Sequence, residues 1–496
     1  MHTRGLLLAS SLFAFLALAA CGPMPEANLG PDSPPEGHVQ GERFVAGSAA
    51  PVPFPRPAAP PVEAPASWIS AAPARTLIVP GDGQPVWIGV WIDAPNVTRK
   101  AARPPLSLAL VVDTSGSMAG PKIENARLAA QSLLEGLSAG DLVSIDTFSD
   151  EVRTLAPPTL VDPSAMGPLF TAVRSLQSGG GTNLHDGLLA GEAHAASSAS
   201  HALRRVIMIS DGQANVGPST PEALGDVASR GTETGVQVSA IGVGLDYDER
   251  TLGELARRTS GRLYHLEHPS ELAAILDQEV RLLADTVATG VSVEITPGDG
   301  VELVGAEMAD ARREGRALRV PIGALYAGQR RELLVQARVT GAKGSAIEIG
   351  KARLVYQSGG ERDAWAAQSA PITASIGDDR ARSIASRDPR VTALLARHEA
   401  AEAQRRAAAL LNEGKQQEAV DMLGSAEVMV AAAARSSGAG TTEFNKLDEQ
   451  ARRIAQSKKD AAAASTQEAA RKRALESYSY SFSDDGLAAP SAPSKK

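Results

Sequence analysis

The residues with chemical potential sit in three short stretches. At 106–118 the chain reads LSLALVVDTSGSM, an apolar run that stops on Asp113 and the hydroxyls of Ser115 and Ser117. At 178–183 it reads SGGGTN, a glycine-rich loop that delivers Thr182, and at 203–212 it reads LRRVIMISDG, a second apolar run ending on Asp211. Two carboxylates and three hydroxyls form an all-oxygen donor set, suited to a hard divalent cation, magnesium above all. Ser, Thr and Asp also cap helices and shape turns, so each stretch alone is a weak signal. Catalysis by the same residues lacks parts. A serine nucleophile needs a histidine base and a G-x-S-x-G elbow, and TSGSMAG has neither glycine in register. No G-x-x-x-x-G-K-[ST] loop is present, which argues against nucleotide hydrolysis.

These donors need a framework. Apolar runs such as 106–112 suit strands buried on both faces of a parallel sheet, and open α/β sheets place ligands at the carboxyl ends of their strands. The intervening chain alternates accordingly. Helical spacing at 122–137, a strand at 141–148 and a short edge strand at 151–155 come first, followed by helices at 163–176 and 184–198. After Asp211 a helix at 221–229, strands at 236–243 and 261–266, and helices at 249–259 and 269–283 continue the pattern. Such alternation predicts a doubly wound, mainly parallel sheet.

In type, order and position the three stretches resemble the von Willebrand factor type A (VWA) family and its metal-ion-dependent adhesion site. The family's D-x-S-x-S falls on Asp113, Ser115 and Ser117, its threonine on Thr182 and its late aspartate on Asp211, and the likeness covers about 104–284. It implies a Rossmann-like α/β fold and a Mg2+ site, with Mn2+ or Ca2+ as alternatives. Ser115, Ser117 and either Thr182 or Asp113 are then direct ligands, with Asp211 often acting through water. One coordination position is left for a Glu or Asp of a protein partner. Neutral hydroxyls leave the cation under-neutralised, so an outside carboxylate still binds favourably. A phosphatase of the haloacid dehalogenase type would want a second aspartate where Ser115 stands. The expectation is a binding protein, not an enzyme.

At 496 residues the chain holds about three domains. Its net charge of −8, with no block of Lys and Arg, argues against nucleic acid as a partner. The single cysteine, Cys21, rules out an intrachain disulfide and ends LAAC after an apolar segment at 5–20. That ending resembles a bacterial lipobox, which implies a signal peptide over 1–20 and lipid modification of Cys21, palmitate included. Gly22 in place of aspartate favours the outer membrane. The expected protein is tethered to the bacterial envelope by its lipid, not spanning the membrane.

Residues 21–72 are dense in proline and read as an extended spacer without a core. Two strand-like runs follow within 73–103, and Val86, Ile88, Val90 and Ile92 alternate with Trp87, Gly89, Trp91 and Asp93, so both faces carry apolar residues. Strand-like segments fill 285–377, which predicts a small β-sandwich. The VWA-like portion at 104–284 is therefore expected to be inserted into one discontinuous sandwich that the strands of 73–103 complete. Alanine, glutamate and arginine make 380–480 helical, and 481–496 reads as a polar tail. His265 and His268 read as exposed polar residues, and Tyr478, Tyr480 and Phe482 as a frayed end. The functional expectation is a lipid-anchored envelope protein that captures an acidic side chain of a partner through a divalent metal. The competing expectation is an assembly scaffold in which metal only stabilises the fold. A magnesium-dependent hydrolase comes third.

Overall fold

The structure, a computed structural model, describes residues 41–45, 51–54, 57, 60–64, 67–79, 85–96, 104–244, 247–266, 268–307, 310–341, 344–358 and 365–463. Cys21 with the apolar segment before it, and the stretch carrying Tyr478, Tyr480 and Phe482, lie outside the described residues. Five strands come first: β1 (Glu42–Arg43), β2 (Val62–Glu63), β3 (Ile69–Pro73), β4 (Leu77–Ile78) and β5 (Val86–Asp93).

β6 (Leu106–Asp113) is buried along its whole length. Side chains alternate across a strand. Leu106, Leu108, Leu110 and Val112 enter one hydrophobic cluster, and Ala109 and Val111 enter another. Both faces therefore need helices. The chain supplies them as α1 (Pro121–Glu135), β7 (Leu142–Phe148), β8 (Val152–Leu160), α2 (Met166–Arg174), α3 (Leu184–Ala195), β9 (Leu203–Ser210), α4 (Pro221–Gly231), β10 (Val236–Val243), α5 (Glu249–Arg258), β11 (Leu263–Leu266) and α6 (Leu272–Ala284). The sheet order is β1-β8-β7-β6-β9-β10-β11. Its central pairs run parallel and the β7–β8 pair runs antiparallel. β8 extends well past the expected 151–155, through Pro157 and Pro158. The register slips between the Val143–Thr159 and Ile145–Ala156 pairs. An irregular outer strand tolerates the missing proline donors there.

The remaining strands form the sandwich: β12 (Thr286–Pro297), β13 (Val301–Glu307), β14 (Arg312–Glu314), β15 (Ala317–Tyr326), β16 (Arg330–Val339), β17 (Ala346–Ser358) and β18 (Trp365–Ile376). One sheet has the order β14-β15-β12-β17-β18-β2, with β4 also on β18; the other is β13-β16-β5-β3. β5 sits between β16 and β3, so the VWA-like layer is inserted into the sandwich as expected. The two runs of 73–103 do not pair with each other: β4 joins one sheet and β5 the other. The sandwich lies against the amino ends of the first sheet's strands. Gln237 near the start of β10 donates to Ile322 O at 3.0 Å, and Arg331 donates to Ser260 O at 2.9 Å.

The coreless-spacer reading of 21–72 is corrected for its described residues. Ile69–Pro73 is a strand on β5, and its one proline, Pro73, is tolerated because β3 is an edge. Upstream, β1 pairs with β8, and Phe44 meets His194 edge-on at 5.8 Å. Val52 N donates to Ala196 O at 2.9 Å, and Val52 O accepts from Arg204 at 2.7 Å. Phe54 packs under the Arg204 guanidinium at 5.5 Å, and β2 runs parallel to β18. These residues form a strap across the folded body.

Four helices close the described chain: α7 (Arg380–Ala385), α8 (Pro389–Asn412), α9 (Gln416–Ser437) and α10 (Thr442–Ala463). They explain the two-sided apolarity of β5. Ile88, Val90 and Ile92 face the sandwich core, whereas Trp91 packs with Leu334 against Val391 and Leu394 of α8. Arg390 lies over the Trp91 ring at 4.4 Å. Glu332 of β16 is bound by Arg397 and, at 3.1 Å, by Lys446 of α10.

Candidate functional site

All five donors singled out in the sequence come together at the carboxyl end of the first sheet, opposite the sandwich. Asp113 closes β6 and is fully buried. Its Oδ1 accepts from Ser115 N at 2.8 Å and its Oδ2 from Ser210 Oγ at 2.6 Å. Ser115 and Ser117 hydroxyls are 3.0 Å apart, and Ser117 Oγ donates to Asp211 Oδ1 at 2.7 Å. Met118, also fully buried, pins the turn between them and α1. Asp113, Ser115, Thr182 and Asp211 are all buried, while Ser117 is exposed and marks the open side.

Backbone lacing holds the three loops in register. Gly116 N donates to Gly180 O at 3.0 Å and Gly179 N to Thr114 O at 2.7 Å, joining the first loop to the second. Thr182 N donates to the Asn215 side chain at 2.8 Å, and Asn215 N returns a bond to Thr182 O at 3.1 Å, joining the second to the third. Gly180 has φ +85°, and a Cβ there would lie 2.5 Å from Asp150 Oδ2. A glycine is needed both for the turn and for that approach. Thr182 reaches the others around Gly212. A methyl on Gly212 would lie 3.4 Å from Thr182 Oγ1, 3.5 Å from Ser117 Oγ and 3.9 Å from Asp113 Oδ2. Donors from the first two loops thus border one small volume beside the third.

Sequence reading missed Lys122, Ser210, Asn215 and Asp150. Lys122, on the first turn of α1, ion-pairs with Asp211 Oδ2. A lysine at a helix start signals nothing by type, and only the fold brings it to Asp211. Burial pushes the Asp113 carboxyl above its ordinary value; hydrogen bonds from Ser115 and Ser210 oppose this, and the charge of Asp211 adds to it. The serines bond to each other and to carboxylates rather than to a histidine base. Among the described residues no three of His, Cys, Asp and Glu gather as a metal site. The cluster here has two carboxylates, and its other donors are hydroxyls. His265 sits apart, 3.1 Å from the Tyr247 hydroxyl.

Fold and donor loops together define a von Willebrand factor type A domain. Residues 107–278 match the family model described as "von Willebrand factor type A domain", so the chain carries one. Among curated relatives, inter-alpha-trypsin inhibitor heavy chain H3 of Pongo abelii is 30% identical over 199 residues, 38% of this chain and 22% of that protein. The protein YfbK of Escherichia coli (strain K12) is 28% identical over 260 residues, 51% of this chain and 45% of that protein. The chain thus spans less than half the length of either relative. Two solved structures share the fold over 83% of this chain: a von Willebrand factor type A protein from Catenulispora acidiphila (TM-score 0.64, 17% identity, 91% of that chain) and the ArnB paralog VWA2 from Sulfolobus acidocaldarius (TM-score 0.56, 19% identity, 97% of that chain).

Proposed function

We propose that the chain is a lipid-anchored bacterial envelope protein that captures an acidic side chain of a protein partner through a divalent cation, Mg2+ foremost, at its VWA domain. The observation that carries this reading is the convergence of Asp113, Ser115, Ser117, Thr182 and Asp211 on the space beside Gly212. The donor set fits the group: all oxygen, with two carboxylates and three hydroxyls, open to solvent on the Ser117 side. Asp113, Ser115, Ser117 and Thr182 would hold the ion, and Asp211 would orient the hydroxyl of Ser117. When bound, the ion supplies an electrophilic position for an outside carboxylate. The chain's own residues do the rest. With no cation present, Asp113 and the Lys122-paired Asp211 offer an acidic ligand no electrophilic position, and backbone bonds join the three loops around the space.

The bacterial setting rests on the lipobox-like end at Cys21 and on relatives such as YfbK. A second reading has one observation in its favour. Lys122 already counters the charge of Asp211, which suits a scaffold whose site is stable without metal. Capture of envelope proteins by wild type and Asp113→Ala, each in magnesium and in EDTA, separates the two. Capture only by wild type in magnesium supports adhesion. Equal capture in all four conditions removes it. Cys21→Ser should abolish palmitate labelling; normal labelling would remove the anchor.

A further inference from the structure

One charged group at the donor site has no task yet toward a partner. Lys122, on the first turn of α1, is bonded to Asp211 Oδ2. The opposite oxygen of that carboxylate accepts from Ser117 at 2.7 Å. The ammonium and the Ser117 hydroxyl therefore stand one carboxylate's width apart, a span that the chain's own Asp211 already bridges. Asp211 is fully buried, whereas Ser117 is exposed and the Lys122 side chain is 24% exposed. Both ends of the span thus belong to residues that reach solvent.

The ammonium has a defined seat. A Cβ on Gly244 (φ +83°) would lie 3.5 Å from Lys122 Cε and 3.6 Å from Nζ, so the end of the side chain runs along the loop that leaves β10. An ammonium carries three donors, and among the described residues its acceptor is Asp211. Charge points the same way. Two carboxylates and one ammonium leave the site with a single negative charge. A divalent cation turns that into a single positive charge, which one incoming carboxylate neutralises. Without the lysine the loaded site would be neutral and would draw an acid less strongly. Asp150, on the rim, is exposed, and solvent screens its charge.

We propose that Lys122 contacts the partner's carboxylate, one oxygen of which takes the open position on the cation while the other accepts from the ammonium. This rests on the metal reading and adds the residue that makes the loaded site select a monoanion. The lysine then acts in opposite directions on the two ligands, repelling the cation and attracting the acid. A residue that only supported the loop would weaken both together when removed.

The test uses the full chain. Calorimetry measures Mg2+ binding. Ligand-observed NMR measures the affinity of the magnesium-saturated protein for N-acetylaspartate α-amide, with N-acetylasparagine amide as the neutral control. The acid should bind and the neutral control should not. Lys122→Met should tighten Mg2+ by about tenfold and weaken the acid by about tenfold or more. Lys122→Gln keeps a hydrogen-bond donor for Asp211 and should give the same opposed changes, which covers the case of a methionine variant that does not fold. Arg338→Gln, at an exposed arginine paired with Glu302, should change neither. Weaker acid binding with metal binding undiminished supports the contact. Undiminished acid binding in the Lys122 variants, or metal and acid weakened together, overturns it while the metal reading stands. Absence of Mg2+ binding by wild type overturns the metal reading and this inference with it. Mg2+ binding without acid binding up to about 50 mM removes both the capture step and the contact.

Discussion

Lys122 Nζ is bonded to one oxygen of the buried Asp211 carboxylate, whose other oxygen accepts from Ser117 at 2.7 Å. A cation of the chain's own thus stands at the edge of the space proposed for the metal. A second cation nearby pays a Coulomb cost that falls slowly in a partly buried site. Lys122→Met should therefore tighten magnesium binding by about tenfold. It should also lower the melting temperature in EDTA, because Asp211 loses its counter-charge. Calorimetric titration and melting with and without magnesium check both. Unchanged affinity would mean that the lysine swings away freely.

Gly212→Ala fills the same space without removing a ligand. The added methyl stands at ordinary contact distance from its neighbours, so the fold should tolerate it within ~0.5 kcal/mol. Saturating metal should stabilise wild type by about 2.7 kcal/mol at a hundred times the dissociation constant, and this gain should vanish in the variant. Melting curves in magnesium and EDTA read it directly. An undiminished gain in the variant would place the ion elsewhere.

Glu192, on α3, has a buried Oε1 with no hydrogen-bond partner among the described residues, and burial pushes its carboxyl up to about 8 against attraction from Arg230. A folded value raised above the ordinary 4.5 means the neutral form is favoured in the fold. No stability is lost below the unfolded value. As pH rises from there towards the folded value, about 1.4 kcal/mol goes with each unit. Glu192→Gln should gain on wild type across that window. Parallel denaturation series from pH 5 to 8 with a constant difference between the two proteins would count against a neutral Glu192 in the fold.

Glu332 holds the helices to the sandwich through Arg397 and Lys446. Removing its carboxylate takes a shared counter-charge from two cations in a mostly buried contact. Glu332→Ala should cost about 3–5 kcal/mol and loosen α8 and α10 from β16. Faster proteolysis at 380–463, with the VWA domain intact, would show the loosening. A variant as stable as wild type would make the contact incidental.

The strands that were legible in the sequence are those whose surroundings are uniform. β6, β9 and β10 are buried at every position and therefore mostly apolar, with only a few polar residues near their ends and on β10. That Asp113, Ser115, Ser117, Thr182 and Asp211 would gather at one end of the sheet was legible because each sits in a short loop next to a strand or helix end. Lys122 was not, since its meaning depends on where α1 starts relative to the end of β9. β3 was hidden by the proline-dense stretch it follows, and its own Pro73 is one that an edge strand tolerates. β5 was found, but the purpose of Trp91 on its outer face was not, because the cover comes from α8, about 300 residues later in the chain.

The strap also has mechanical consequences. Tension on the chain ahead of Glu42 is not shared by its contacts; it reaches them one at a time. The two-residue β1–β8 pairing takes the load first, then the Val52–Arg204 bond, then the seat of Phe54. Arg204 belongs to β9, the strand whose far end leads into Asp211, so the second of these stops is anchored on the strand that carries the site's late aspartate. Fully extended, 42–54 spans at most roughly 43 Å, which bounds the length that unclipping it could release.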